Sequence, residues 1–315
     1  MLRIPLLVVL PPLLLCACVE DLSPSWKLDK LRVLAMSATP ATLQPGQSAT
    51  VSALVVDEPQ NRPLTYVWLG CAADPFNQNR GPCSNPEILQ NPSLLLNAQG
   101  APLENIQFLG LGPHARYSVP PHLFSALPEN HPQRKTGSFG IVLLMVVAES
   151  LPPLPSPEDI ASLIQRAQNK YVDSQMALFR IPINESELPP NQNPLISQLQ
   201  VDGQITDSTT PLSLEKNKKY ELDLVVPQQS FEEYVEITPV GNSPKTESLF
   251  ASVFTTCGTL ETSSFNLSAS SRPQLLSPNG KDIPPCPSPT PKLFVVLRDS
   301  RGGQAWKTLS FTLQE

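Results

Sequence analysis

The sequence predicts an all-β protein built as two β-sandwich domains in tandem. Among its 315 residues, 37 are proline and 14 are glycine. So many prolines disfavour long helices and suit short strands joined by rigid turns. Short apolar or alternating segments recur along both halves of the chain. Hydrophobic residues make up 40% and charged residues 16% of the sequence. A chain of this length and composition can bury two cores.

The N-terminal segment has the layout of a secretory signal peptide. Arg3 precedes an apolar run from Ile4 to Leu15, as in the charged and apolar regions of such peptides. The segment Leu15-Cys16-Ala17-Cys18 then resembles a bacterial lipobox. In a lipobox a cysteine that follows a small residue is lipidated, and the chain is cleaved just before that cysteine. The second cysteine of this segment follows alanine, whereas the first follows the larger leucine.

The resemblance to a lipobox implies a signal peptide over 1–17, a covalent lipid on Cys18 and a tether over 18–30 that includes Trp26. By the sorting rule of enteric bacteria, Val19 after the lipidated cysteine implies the outer membrane. No other cofactor is expected. The next apolar run, Ile141 to Val147, is too short to cross a bilayer. The net charge is −6 and basic residues form no block, so we expect no nucleic-acid partner.

The first domain is predicted over 31–184. Strand-like segments start at Leu31, at Ala49 and at Leu64, and a Pro-Gly turn separates the first two. The third, Leu64-Thr65-Tyr66-Val67-Trp68, alternates cleanly between two faces. This order resembles the first strands of bacterial Ig-like and PKD-like β-sandwich domains, and the resemblance implies that Trp68 packs between the two sheets.

The rest of the first domain departs from a simple sandwich. Residues 71–137 are predicted as a long loop insertion, within which segments near Ile106 and Ala115 could form short strands. The continuous apolar run that follows predicts a central strand covered on both faces. A helix is predicted over 157–171, because Ser156 suits an N-cap and proline and acids follow it. A closing strand is expected over 175–183.

A proline-rich linker is predicted over 185–194, and a second domain over 195–315. In that domain, the apolar segment Leu249 to Leu260 resembles the central strand of a PKD-like domain. Two strands joined by an Asp-x-x-Gly-Gly turn at Asp299 resemble the closing hairpin of Ig-like and PKD-like domains. Glu232 and Glu233 lie side by side in a strand-like segment, and we interpret them as charges on a solvated edge.

Four cysteines lie outside the signal region. They fall into two pairs, one in each half of the chain, and in an exported protein such pairs favour the disulfides Cys71–Cys83 and Cys257–Cys286. Their spacings do not match those of zinc sites. Free thiols are the remaining alternative.

Residues that could carry chemistry are few. The three histidines, His114, His122 and His131, all fall within 71–137 and show no metal-binding spacing. Carboxylates that could bind calcium between loops lack an Asp-x-Asp-x-Asp pattern; they are Asp202, Asp207 and Asp299. The sequence therefore predicts neither a catalytic site nor a metal site.

Together these observations predict a lipid-anchored lipoprotein of the bacterial cell envelope. It would act as a non-catalytic binding or spacer module for another envelope protein or a surface glycan. One alternative is a lipid-anchored hydrolase with its site in the 71–137 loops, which are the best candidate binding surface of the first domain. Another is a structural subunit of a secretion or motility machine.

Overall fold

The computed structural model describes residues 23–58, 60–72, 106–206, 210–238, 241–268, 272–277 and 286–314. The predicted signal peptide, the lipidation site Cys18 and the disulfide candidate Cys83 lie outside these residues. Within them, no helix combines the length and apolar character that a membrane span requires. The described chain forms two β-sandwiches, which confirms the predicted fold class.

The first sandwich packs a three-stranded sheet against a four-stranded sheet. The smaller sheet has the order β1-β2-β5 and the larger has the order β4-β3-β6-β7. The strand bounds are β1 Arg32–Thr39, β2 Ser48–Val56, β3 Thr65–Ala72, β4 Ile106–Leu111, β5 His114–Ser118, β6 Ser138–Val147 and β7 Ser174–Ile183. Two helices accompany them, α1 over Pro132–Thr136 and α2 over Pro157–Gln168.

Trp68 lies at the centre of the first core, as the resemblance implied. Its side chain is fully buried among residues of both sheets. Its indole Nε1 donates a hydrogen bond of 2.7 Å to the carbonyl oxygen of Gly112. A buried indole needs such a partner, since an unpaired N–H would lose its hydration without compensation.

Strand β6 is apolar on both faces because both faces are covered. Val142, Leu144 and Val146 point into the sandwich core, whereas Met145 and Val147 pack beneath α2. The prediction of a central, doubly covered strand is confirmed.

Helix α2 begins where the sequence predicted and ends three residues earlier. Ser156 and Asp159 form a capping box in which each side chain accepts a hydrogen bond from the backbone N–H of the other. The buried side of the helix is the predicted one, formed by Ile160, Leu163, Ile164 and Ala167.

The predicted insertion over 71–137 is wrong in its extent. Strands β4 and β5 lie inside that range and belong to the sandwich, since β4 pairs with β3 and β5 pairs with β2. The chain changes sheet between them, and Gly110, near the end of β4, and Gly112, just after it, have positive φ angles of 124° and 123°. Glycine adopts such angles at little cost. Residues 73–105 are not among the described residues.

The second sandwich consists of two five-stranded sheets. Their orders are β10-β19-β18-β14-β16 and β15-β17-β11-β8-β9. The strands run over β8 Gln198–Val201, β9 Gln204–Ile205, β10 Leu212–Glu215, β11 Lys219–Val225, β14 Phe250–Thr255, β15 Thr259–Leu260, β16 Ser264–Asn266, β17 Gln274–Leu276, β18 Lys292–Arg298 and β19 Gln304–Gln314.

The segment that the sequence indicated as one strand, Leu249 to Leu260, contains two. Strand β14 belongs to one sheet and β15 to the other, and the chain crosses between them at Gly258. A Cβ atom at this glycine would lie 2.6 Å from the carbonyl oxygen of Leu276, so the crossing needs a residue without a side chain. Cys257 and Cys286 form the predicted disulfide beside this crossing.

A separate two-stranded hairpin projects from the second sandwich. It consists of β12 over Glu233–Thr238 and β13 over Gly241–Thr246, paired antiparallel. In the described chain, neither strand pairs with any other strand.

The two sandwiches share a small apolar core where they meet. One face of β1 and β2 packs on β14, β18 and β19 of the second domain, and the buried members of this junction core are Leu28, Leu34, Ala35, Val56, Phe294 and Val296. Arg298 donates a hydrogen bond of 2.8 Å to the carbonyl oxygen of Leu34. Lys292 forms an ion pair with Glu58. The domains are therefore fixed to each other by apolar burial and by polar contacts.

The described part of the predicted tether does not stand clear of the domains. Trp26 packs against the second core and its carbonyl oxygen accepts a hydrogen bond from the N–H of Thr255. Leu28 donates in return to the carbonyl oxygen of Thr255 and is buried in the junction core. Apolar side chains at these two positions explain why this stretch docks, so any free tether ends before Trp26.

Candidate binding cleft between the two domains

An open cleft of about 1340 Å³ lies between the domains. The first domain contributes the loop between β1 and β2, α1 and the ends of β6 and β7. The linker contributes a proline-rich floor, and the second domain contributes the hairpin β12–β13 and the turn after β18. The volume exceeds the roughly 300–1,000 Å³ of small-molecule sites, so the cleft suits a polymer segment better than a small ligand.

The linker that floors the cleft is bonded to both domains. Asn193 donates a hydrogen bond of 2.7 Å to the carbonyl oxygen of Ala38, and its own side-chain oxygen accepts one of 3.0 Å from the N–H of Gln304. Glu185 forms an ion pair with Arg134 of the first domain. The linker is therefore attached to each domain by side-chain hydrogen bonds or an ion pair.

Arg301 fixes the base of the hairpin to the second sandwich. Its guanidinium forms ion pairs with Glu232, just before β12, and with Glu247, just after β13. It also lies over the ring of Tyr234, 4.6 Å from the ring centroid, where a cation is attracted to the aromatic face. The interpretation of Glu232 as a solvated edge charge is therefore wrong, whereas Glu233 is exposed as expected.

Asp299 organises the turn that carries Arg301. Its carboxylate accepts hydrogen bonds from the backbone N–H groups of Arg301 and Gly303, each 2.8 Å, and from the side chain of Asn191. Gly302 has a positive φ angle of 102°, which glycine adopts at little cost. Gly303 is required for a different reason, because a Cβ there would collide with the Asp299 carboxylate.

Burial perturbs two carboxyl groups at this base. It raises the pKa of Glu247, against the opposing effect of Arg301. It also raises the pKa of Asp299, against the opposing effect of the N–H donors of the turn. The Oδ1 atom of the buried Asn191 has no hydrogen-bond partner in the described structure. The base of the hairpin beside the cleft is thus held by buried carboxylates that accept hydrogen bonds or pair with Arg301.

The predicted candidate residues do not converge. His114 contacts the side chain of Ser52 at 2.9 Å and lies on an exposed strand face. His131 is the N-cap of α1, where its ring accepts a hydrogen bond from the N–H of Gln133. None of the three histidines lines the cleft.

Metal-binding groups are equally scattered. Of the calcium candidates, Asp202 accepts a hydrogen bond from the N–H of Glu221, Asp299 holds its own turn, and Asp207 lies outside the described residues. In the described ranges, no three His, Cys, Asp or Glu side chains are grouped so that they could hold a metal ion. Cys71 is disulfide-bonded, but its pairing with Cys83 stays a prediction because Cys83 is not described.

Sequence reasoning missed the residues that build the cleft. Arg301 was placed only in a turn, and Asn193 only in a linker. A usable signal was present, since Asn191, Gln192 and Asn193 interrupt a proline-rich linker with three consecutive side-chain amides. Such amides are able to bond two domains at once.

Comparisons with known proteins give structural matches only. No family model matches the sequence, and no curated protein matches it. Solved structures that match include the N-terminal Ig1-2 module of the Drosophila receptor protein tyrosine phosphatase DLAR, at 10% identity and a TM-score of 0.23 over 91% of this chain and 100% of that one. The two tandem V-type regions of VCBP3, a v-region-containing chitin-binding protein, match at 9% identity and a TM-score of 0.28 over 89% and 100%.

At TM-scores this low, the superpositions carry no argument about function or domain arrangement. The fold follows instead from the strand pairing and from the buried Trp68 between two sheets. By that evidence the chain consists of two Ig-like β-sandwich domains in tandem.

Proposed function

We propose that this chain is a lipid-anchored lipoprotein of the bacterial cell envelope that binds another envelope component in the cleft between its domains, without catalysis. The supporting observation is that the cleft walls come from both domains and that the junction core and the linker fix these walls in place. A preformed site loses little conformational entropy when it is occupied.

The anchor would hold the second domain close to the membrane. Cys18 precedes the first described residue, Ser23, by only five positions. A chain extends by at most about 3.6 Å per residue, so these five positions reach no more than about 18 Å. Because Trp26 is docked on the second domain, the lipid would hold that domain and the junction near the outer membrane surface.

Lipidation is tested by comparing two cysteines in the same lipobox. We expect Cys18→Ser to move the protein from the membrane fraction to the soluble fraction, because no lipid is then attached. Cys16→Ser should leave fractionation unchanged, because Cys16 follows a residue that is too large. Retention of the Cys18→Ser protein in membranes would overturn the anchor.

Binding in the cleft is tested by a photo-cross-linking side chain placed at Thr136, which is exposed on the cleft wall. A discrete adduct is expected from this position in intact cells. The control position is Tyr171, which is 77% exposed and does not line the cleft. Equal labelling from both positions, or none from Thr136, would favour a spacer over a binding module.

A further inference from the structure

The free edge of β12 is the feature that identifies a ligand class for the cleft. The N–H of Glu247 donates to the carbonyl oxygen of Glu232 at 2.9 Å, so these two residues form a hydrogen-bonded pair of the hairpin. Antiparallel ladders alternate between bonded and non-bonded pairs. Tyr234 and Glu236 therefore bond across the hairpin, and Glu233, Val235 and Ile237 direct their backbone groups outward.

These outward groups are available to a ligand. In the described chain, the backbone groups of Glu233, Val235 and Ile237 make no hydrogen bond outside the hairpin. All three residues line the cleft, and Val235 is 38% exposed. They span about 14 Å at roughly 3.4 Å per residue, which is the length of a short strand.

The other edge of the hairpin is blocked. On β13 the outward positions are Asn242, Pro244 and Thr246, and Pro244 lies directly opposite Val235. Proline has no N–H to donate, and proline on an edge strand prevents further pairing. The hairpin is therefore closed to strand addition on the β13 edge, and its outward N–H and C=O groups lie on the β12 edge, whose residues line the cleft.

Charge selects the kind of strand that would add. The segment from Glu232 to Glu247 contains four glutamates and one lysine, a net charge of −3. Arg301 neutralises the glutamates at its two ends, and Lys245 lies 3.9 Å from Glu236. Glu233 is exposed, and no cation of the described chain pairs with it. Lys135 of α1 also lines the cleft, so the attraction for a basic peptide comes from Glu233 on the edge itself.

We propose that an extended, basic peptide segment of a partner protein adds to β12 as a third strand inside the cleft. The inference rests on the proposed binding function and names its ligand class. Backbone hydrogen bonds to the three outward residues supply affinity, and the charge of Glu233 supplies selectivity, as in other cases of strand addition.

The test uses the full-length protein in detergent and three short synthetic peptides. The first alternates threonine and lysine, the second alternates threonine and glutamate, and the third is the lysine peptide with N-methylated backbone amides. We expect only the first to bind. It should slow hydrogen exchange at the amides of Glu233, Val235 and Ile237, with no change at Tyr234 and Glu236.

Two substitutions of Val235 distinguish the contribution of its backbone N–H from that of its side chain. Val235→Pro places a proline directly opposite Pro244. It removes the outward backbone N–H of residue 235 and leaves the backbone hydrogen bonds that Tyr234 and Glu236 make across the hairpin. We expect it to weaken lysine-peptide binding about tenfold, which corresponds to about 1.4 kcal/mol. Val235→Thr keeps the donor and should bind like the unchanged protein.

A second variant covers the case in which Val235→Pro perturbs the hairpin. Glu233→Lys leaves the backbone intact and should also weaken the lysine peptide about tenfold, while it improves binding of the glutamate peptide. Unchanged affinity in both variants would overturn the proposal. So would equal binding of all three peptides, a dimer that Val235→Pro dissociates, or protection by a chitin oligosaccharide in place of a peptide.

The cross-linking experiment at Thr136 tests the proposed binding function independently of strand addition. An adduct from Thr136 in cells together with no peptide protection at β12 would remove the strand-addition mechanism and leave the cleft as a binding site. Absence of both would remove the binding function itself.

Discussion

Arg301 is the residue on which the cleft base depends most directly. Its guanidinium neutralises Glu247, whose side chain is 1% exposed, and the less buried Glu232. A buried carboxylate that loses its cation stays desolvated without compensation, which is costly. The same guanidinium lies over the ring of Tyr234. Removal of the guanidinium therefore costs the hairpin a packing contact as well as a charge partner.

Arg301→Met should therefore lower the free energy of unfolding by about 3 kcal/mol. Chemical denaturation followed by tryptophan fluorescence measures this change. The control is Arg166→Met, which removes a more exposed ion pair with Glu149 and should cost less than about 1 kcal/mol. Similar losses from both variants would mean that burial of Glu247 does not depend on its cation.

Residue types alone indicated some of these roles and concealed others. Trp68 and the Cys257–Cys286 disulfide were predictable, because an aromatic residue in an alternating strand and paired cysteines each have one dominant use. Glu232 was not predictable, because its partner Arg301 lies 69 positions away. From the sequence alone an acidic residue is expected to be solvated, because the cation that pairs with it in the folded chain is distant in sequence.

Helix α2 is an element whose start and buried face the sequence specified well. Its start depends on local chemistry, since the Ser156–Asp159 capping box satisfies N–H groups at the first turn. Its packing depends on the fixed 3.6-residue period, which aligned four apolar residues over Met145 and Val147. Both causes act within a few residues, and the prediction was accurate for that reason.

Ser156→Ala should destabilise the first domain by about 1 kcal/mol, because the cap hydrogen bond is lost. Equilibrium unfolding in urea would report the change. Ser150→Ala is the matched control, since Ser150 is exposed and should change stability very little. A loss at Ser150 equal to that at Ser156 would contradict the capping explanation.

The hairpin β12–β13 illustrates what an element-level pattern misses. The sequence indicated a strand-like segment at Glu232 and Glu233 but gave no partner strand for it. Pairing with β13 was unexpected because Pro244 argues against a strand interior. The proline is accommodated because its missing N–H falls at an outward position, opposite Val235.

At the scale of the whole molecule, the junction core determines whether a cleft exists. Leu34 of β1 and Phe294 of β18 are both buried in the junction core. Strand β1 therefore contributes side chains to the junction core on one face and to the first-domain core on the other. The sequence predicted a proline-rich linker, and such a linker is semi-rigid and favours one angle between the domains. The structure adds the apolar contact and the bonds of Asn193 that fix this angle.

Leu34→Asp should release the two domains from each other, because a charge placed in the junction core costs several kcal/mol. Small-angle X-ray scattering should then show a broader distribution of interatomic distances. The control is Leu178→Asp on an exposed face of β7, where the side chain is 48% exposed. An unchanged scattering curve for Leu34→Asp would show that the linker alone sets the angle.

The sequence by itself determined the strand-rich class, the buried Trp68, the capped helix and the second-domain disulfide. Each depends on short-range periodicity, turn chemistry or residue type. Only the tertiary structure decided the sheet change at Gly258, the docking of Trp26 and the interdomain cleft. The cleft requires contacts such as that between Arg298 and Leu34, which are 264 positions apart. No local pattern encodes such a contact, because its energy appears only when two complete sheets bury their faces against each other.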